Sequence, residues 1–529
     1  MKRTAPLHRS LLVTASMLAV LATTANNIQV GNATLTGTNT VNGTTQVQFD
    51  ITWENSWRTS SAPNNWDAAW VFVKYRDANT GLWQHAQLGS DAQHIGAAGS
   101  AIATGLLSPG TAYNASSNWG VGAFVYRSAD GAGPFTGNGT ELRWNYGQNG
   151  ITYADIAEVK VFAVEMVYVP QGSFWVGSGG VENYCFKDGT TTNPFSIISE
   201  GAINMANANG SLWAANENNP FNNPNWIETA ILPAAFPKGY AGFYCMKYSL
   251  TQQQYVDFLN TLSRTQQNTR TTTNLAVGVV IVTNRYVMSN TSTPPPARNG
   301  IRCNGSINAN APITFYCDLN GNSIGGEAAD GQWLACSYLS WGSVAAYLDW
   351  SGLRPMTELE YEKVCRGPVA PVANEYAWGS TSITGAANIN NGGAINETSS
   401  TVGANAVVNS GIFPMRVGLF ASGATTREQS GAGYYGAMEL SSNVWERPVT
   451  VGNIEGRAYI GQHGNGALNV IGAHDATTWP AANGQGVGFR GGIPNFDTDS
   501  MCISNRLNAG PADGAIGASN GGRGVRLEP

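Results

Sequence analysis

The chain has 529 residues and a formal net charge of −6, and only 12% of its residues are charged. That length suffices for more than one domain, and the sparse, net-negative charge excludes a nucleic-acid-binding surface. With 64 Gly and frequent Asn, Thr and Ala, the composition suits a loop-rich extracellular protein better than a cytosolic helical enzyme.

Residues 1–25 read as a secretory signal peptide. Lys2, Arg3 and Arg9 give a positive start, and residues 11–22 are apolar but too short to span a bilayer as a stable helix. Cleavage is expected after Ala25. No cysteine follows the apolar run, so no lipid anchor is expected. No later stretch is apolar enough for a membrane span. The expectation is bacterial-type export to the medium or the cell surface.

Residues 26–165 are strand-like throughout. VQFDITW, AWVFVKY, WGVGAFVY and AEVKVFAVEM are rich in β-branched and aromatic residues and are separated by Asn, Gly, Ser and Pro clusters. The pattern predicts an antiparallel β-sandwich. Trp53, Trp57, Trp66, Trp70 and Trp83 can line a sugar-binding face or fill the sandwich core, and the core is the favoured reading. His85 and His94 lie in separate polar stretches and are expected at the surface, not as a metal pair. This region carries no catalytic motif and reads as a spacer or a docking and binding module.

Beyond residue 165 the pattern changes. MVYVPQGSF from Met166 is a strand followed by a turn, and FYCMKYSL from Phe243 is another strand. Thr251 and Gln254 form a capping box, and Tyr255, Phe258, Leu259 and Leu262 make a helical stripe assigned to core packing. Residues 264–331 read as an insertion, in which Cys303 and Cys317 flank a short loop and are candidates to staple it. Residues 340–367, SWGSVAAYLDWSGLRPMTELEYEKVCRG, predict two short helices joined by a tight turn. Ser340 is the N-cap of the first, Gly352 its left-handed C-cap, and Thr357 with Glu360 forms the capping box of the second. His463 and His474 sit in Gly/Asn-rich loops and read as solvated. The seven cysteines leave at least one thiol unpaired within the chain, although export permits disulfides. No Ser-His-Asp order, phosphate loop or H-E-x-x-H zinc motif is present.

The order of residue types in 340–367 resembles the signature of the formylglycine-generating enzyme (sulfatase-modifying factor) family. Ser340, Trp341, Ala346, Tyr347, Trp350, Gly352, Arg354, Thr357, Glu358, Glu360, Glu362, Arg366 and Gly367 match it. Further motifs follow in the family's order: the V-P-Q-G-S-F-W-V-G run ending at Gly177, Y-A-W-G at residues 376–379, G-A-M-E-L-S-S-N-V-W-E at 436–446, G-F-R-G-G at 488–492 and G-V-R at 524–526. The resemblance implies an irregular α+β domain related to C-type lectins over residues 166–529.

That resemblance also implies a chemistry which this chain does not carry. The family's copper-binding cysteine pair follows its R-G-G-S motif, and a cuprous ion prefers thiolates. Residues 457–501 contain no cysteine, so copper is not expected. Calcium is the cofactor the resemblance favours. One site maps onto Ser442, Val444 and Glu446, and the other onto Asn388, Ile389, Asn409 and Gly411. The resemblance further implies a Cys365–Cys502 disulfide. The resulting expectation is an exported, non-catalytic protein that binds an extracellular glycan or protein, or assembles with copies of itself. The alternative is a metal-dependent oxidoreductase of this family with a rearranged site.

Overall fold

The computed structural model describes residues 27–214, 229–408, 411–495, 497–510 and 514–529; the expected signal peptide lies outside them. The fold is rich in β-strand and poor in helix. Its first part consists of eight strands: β1 (Gln29–Asn39), β2 (Thr44–Arg58), β3 (Asp67–Asp77), β4 (Trp83–His85), β5 (Ser100–Leu106), β6 (Gly120–Arg127), β7 (Gly131–Trp144) and β8 (Ile156–Val169). β1, β2 and β7 form one antiparallel sheet, while β8, β3, β6 and β5 form the other, with β4 also paired to β3. Between them lies an apolar core of Val47, Phe49, Ile51 and Trp53 from β2, Ala69, Val71, Val73 and Tyr75 from β3, and Leu142 and Trp144 from β7.

The second sheet does not stop at the sandwich. β8 pairs with β3 as far as Val167 and with β9 (Phe243–Met246) from Met166 onward. The sheet then continues through the C-terminal strand Gly524–Leu527 to Arg354–Pro355. The position expected as a boundary, between residues 165 and 166, therefore lies inside one strand that both parts of the chain share.

This continuity buries β3 on both faces. Ala69, Val71, Val73 and Tyr75 face the sandwich core, and the alternate residues Ala68, Trp70 and Phe72 belong to the large second core, as a period of two requires. Trp70 is fully buried there. Its indole N–H donates to the Ser351 carbonyl at 2.7 Å, and the Arg526 guanidinium lies 4.5 Å from its ring centroid. Gly122 makes room for the ring: a Cβ at that position would come within 2.5 Å of it.

The helices follow their sequence signals. α1 (Gln252–Leu259) and α4 (Glu358–Arg366) carry the expected capping boxes at Thr251 and Thr357, and α3 (Trp341–Trp350) begins at Ser340. α3 buries all ten of its residues, because it is enclosed by the β3–β8 face and the surrounding loops; Trp350 meets Phe72, Phe162 and Phe258 at ring-centroid separations of 5.0, 5.0 and 5.4 Å. In the expected insertion, α2 (Arg264–Arg270) presents Arg264, whose guanidinium donates to the carbonyls of Leu275, Val279, Asn308 and Ala311. One side chain thus gathers an irregular segment whose carbonyls would otherwise lack partners.

Several expectations are corrected. His85, His94 and His463 are buried rather than solvated. The His85 Nε2 bonds the Val121 carbonyl, while His94 Nδ1 accepts the Arg143 N–H at 3.0 Å and His463 Nε2 accepts the Leu527 N–H at 3.0 Å. All seven cysteines are buried free thiols. In the hairpin of Ile301–Cys303 with Phe315–Cys317, Cys303 pairs with Phe315 and Cys317 with Ile301. The two sulfurs are diagonal neighbours whose Cβ atoms lie roughly 7 Å apart, beyond disulfide reach. Cys365 packs with Tyr361, Val364 and Leu440, whereas Cys502 lies in the separate Tyr376–Trp378 cluster and turns its thiol to the Asn374 carbonyl.

The shared sheet makes a measurable claim. Trp70→Ala removes the side chain that fills the junction and should cost about 3–5 kcal/mol. It should lower the chemical-denaturation midpoint of both parts together, in one transition. Two resolved transitions in the wild type, or loss of only one part in the variant, would contradict the coupling.

Candidate functional site

A cleft of about 580 Å3 opens where the sandwich meets the C-terminal loops. β4 supplies Trp83 and Gln84 on one side, the first turn of α2 supplies Gln266 on another, and Trp350, the last residue of α3, forms part of the lining. Trp119 and Asn149 complete the sandwich side. The remaining wall is the loop at residues 465–470. Its position is set by Asp349 on α3, whose carboxylate accepts the N–H of Asn465 at 3.0 Å and of Asp475 at 2.8 Å. The Asp349 carbonyl accepts the Gly466 N–H. Gly466 has a φ of +86° and packs so tightly on His85 that a Cβ would fall 2.1 Å from the ring; only glycine fits there.

The lining combines aromatic surface with side-chain amides. Trp83 and Trp119 are half-buried, as are Gln87, Asn149 and Gln266. Lys160 lies over the Trp83 ring at 4.6 Å from its centroid. The indole N–H of Trp119 is buried and has no partner in the protein, so it is a donor awaiting an acceptor.

Lys74 also lines the cleft. It continues the Ala68, Trp70 and Phe72 face of β3, where the pattern calls for an apolar residue, and it is 1% exposed. Its ammonium donates to the Gly466 carbonyl at 2.6 Å and stands 5.0 Å from the Trp350 ring centroid. Burial holds the Lys74 pKa well below the usual lysine range, with the Asp349 charge opposing. Burial likewise pushes Asp349 up to about 7, against the amide bond from Asp475. It also holds His85 well below its ordinary value, assisted by Lys74. The acceptor role of Val121 places the His85 proton on Nε2, leaving Nδ1 bare and without a partner.

The residues singled out by motif form a different structure. In α4, Glu358 accepts from Arg490 at 3.0 Å and from Arg506 at 2.7 Å. Glu362 accepts from Arg490 at 2.7 Å and from the Gly177 N–H at 2.7 Å, and Arg366 is paired with Glu375. Arg354 and Glu360 form a two-pronged pair at 2.6 and 2.9 Å. All of these charged side chains are buried. Every carboxylate in this network is matched by a guanidinium, so it serves as an internal tie rather than as an acid–base site.

The first expected calcium set is brought together but does not suit a cation. Glu446 Oε1 is held by Arg523 at 2.7 Å and by the Ser249 hydroxyl at 3.3 Å. Ser442 Oγ accepts the Val407 N–H, and Val444 packs with Tyr248, Ala335 and Val417. A buried guanidinium already neutralises the one charged ligand. Calcium needs about six to eight oxygens and would meet a like charge there. In the second set, Asn388 is exposed and its carbonyl accepts the Ser400 N–H, Ile389 lies in a short hairpin, Gly411 is exposed, and Asn409 lies outside the described residues. Among the described residues, no group of three or more His, Cys, Asp or Glu side chains could hold a metal.

The sequence pointed to Trp83 among five tryptophans, two of which, Trp53 and Trp70, are core residues. It missed Trp119 and Lys74. The signal for Lys74 was a charged residue inside AWVFVKY, a run otherwise apolar enough for a doubly buried strand.

No family model matches the chain, and no curated protein matches it. Among solved structures, Treponema denticola variable protein 1 is similar over 69% of this chain and 96% of its own length, at 10% identity and a TM-score of 0.29. That likeness is too low to carry an argument.

Two outcomes follow. Glu446→Ala leaves Arg523 buried without its counter-charge and should cost about 3–5 kcal/mol, equally in calcium and in chelator; a loss confined to calcium-containing buffer would restore the metal site. Alkylation of the unfolded protein without reductant should modify all seven cysteines, whereas the native protein should react slowly. A disulfide-linked peptide would refute this.

Proposed function

We propose that this chain is an exported, non-catalytic binding protein whose cleft between sandwich and loops holds an oligosaccharide. The observation that carries the reading is the lining of that cleft: two half-exposed indoles among amide side chains, one indole N–H lacking a partner. Sugar rings offer C–H faces that pack on aromatic rings and hydroxyls that satisfy amides, and such pockets combine apolar walls with a few convergent polar groups. The signal-peptide pattern at residues 1–25 supports export. Among the described residues no helix is long and apolar enough to cross a membrane.

The motif order supports reading residues 166–529 as a diverged formylglycine-generating-enzyme-like domain. The matched positions Gly177, Glu358, Glu362, Arg366 and Arg490 meet in one network of hydrogen bonds and ion pairs, which gives their spacing a structural cause. The oxidoreductase alternative draws no support from the thiols. Burial pushes Cys185, Cys245, Cys365 and Cys502 up to about 12 and Cys303 to about 11, and raises Cys317 and Cys336 as well. Copper ligation and thiol redox chemistry both need the thiolate.

The full mature chain, screened on a glycan array and measured by calorimetry on its best ligand, should bind in a manner that depends on the cleft. Trp83→Ala and Trp119→Ala should each weaken binding by about tenfold or more, equivalent to roughly 1.4 kcal/mol, with unchanged melting temperature. Binding that survives both substitutions, or no glycan binding at all, would overturn the reading.

A further inference from the structure

The cleft holds a cation that the fold does not explain. A lysine on a doubly buried strand is costly to keep, and apolar side chains occupy the equivalent positions at Ala68, Trp70 and Phe72. Lys74 forms no ion pair within 4 Å among the described residues; its one hydrogen bond goes to the Gly466 carbonyl. An ammonium has three donors, so two remain for a partner. Asp349, the acid whose charge acts on Lys74, has both its oxygens committed to the Asn465 and Asp475 amides. Among the other charged groups nearby, Asp475 acts on Asp349 and its carboxylate accepts the Asn465 side-chain amide; Arg526 acts on His85, and His85 itself is neutral, with its Nε2 proton on Val121. The cleft therefore offers spare N–H donors at Lys74 and Trp119 and no free carboxylate to meet them.

We propose that the saccharide held by this cleft bears a carboxylate, a uronic or sialic acid unit, and that Lys74 is the residue that selects it. The assignment rests on the oligosaccharide reading above. The carboxylate would take the two unfilled lysine donors and the Trp119 N–H, while the uncharged part of the sugar packs on the indoles. A monoanion matches the Lys74 ammonium, while Lys160 lies over the Trp83 ring and pairs with Glu158. Burial lowers the Lys74 pKa; an arriving carboxylate raises it again, so binding is accompanied by proton uptake.

The test uses the mature chain and an array of neutral, carboxylate-bearing and sulfated glycans. The strongest carboxylate-bearing ligand is then compared with its carboxyl-reduced form by calorimetry in buffers of different ionisation enthalpy. The carboxylate form should bind at least tenfold tighter, with net proton uptake, and its affinity should fall as pH rises. In Lys74→Met the preference should collapse towards unity. Equal affinity for the reduced form overturns the proposal, as does a preference that survives Lys74→Met or binding confined to sulfated glycans. Cleft-dependent binding of neutral glycans alone overturns the carboxylate assignment and leaves the saccharide reading standing, whereas no glycan binding overturns both.

Discussion

The structure depends on one sheet that neither part of the chain completes alone. β8 enters as a sandwich strand beside β3 and leaves as a strand beside β9, and the C-terminal residues 524–527 close the far side. A strand covered on both faces must be apolar on both, and β3 satisfies that demand from Ala68 to Val73. Trp70 fills the interval between sheet and α3, clamped by the Ser351 carbonyl and capped by Arg526. The cleft lies at the edge of this covering, where the loop at residues 465–470 packs on His85 of β4 through Gly466, whose carbonyl accepts from Lys74.

The C-terminal part solves a second problem. It has little regular structure, so its backbone groups need side-chain partners. Buried arginines supply them. Arg264, Arg416, Arg523 and Arg526 each donate to main-chain carbonyls, and Glu358, Glu360 and Glu362 hold Arg354, Arg366, Arg490 and Arg506. Burying so many charges is tolerable because each of these guanidiniums meets a carboxylate or a carbonyl, although the Nε of Arg354, Arg490 and Arg526 has no partner, and the cost of removing one partner makes the arrangement specific.

Much of the architecture was legible in the sequence for reasons that are local. Thr251, Ser340 and Thr357 cap helices because their hydroxyls reach the N3 amide, a contact set by three residues of chain. The alternation in AWVFVKY declares a strand. The charged residues of α4 were legible as a motif, but their burial was not, since Arg490 and Arg506 arrive from more than a hundred positions away. The histidines were misplaced for the same reason. Polar neighbours such as Gln84 and Gln87 make His85 look solvated, and only the arrival of Gly466 from the other part of the chain covers it. The disulfide expectations failed on register and cluster membership, neither of which spacing encodes.

The shared strand has a dynamic consequence for the cleft. Two modules on a flexible linker can swing apart and admit a ligand between them. Here the sandwich side of the cleft belongs to a hydrogen-bonded sheet that runs on into the second part of the chain, so that motion would require breaking the β8–β9 ladder. The loop at residues 465–470 that forms the remaining wall is fastened as well, by Asp349 at the Asn465 and Gly466 amides and by Gln266 through the Asn469 carbonyl. A cleft whose walls are fastened on both sides is already shaped before a ligand arrives, so little of the binding energy would go into ordering the protein.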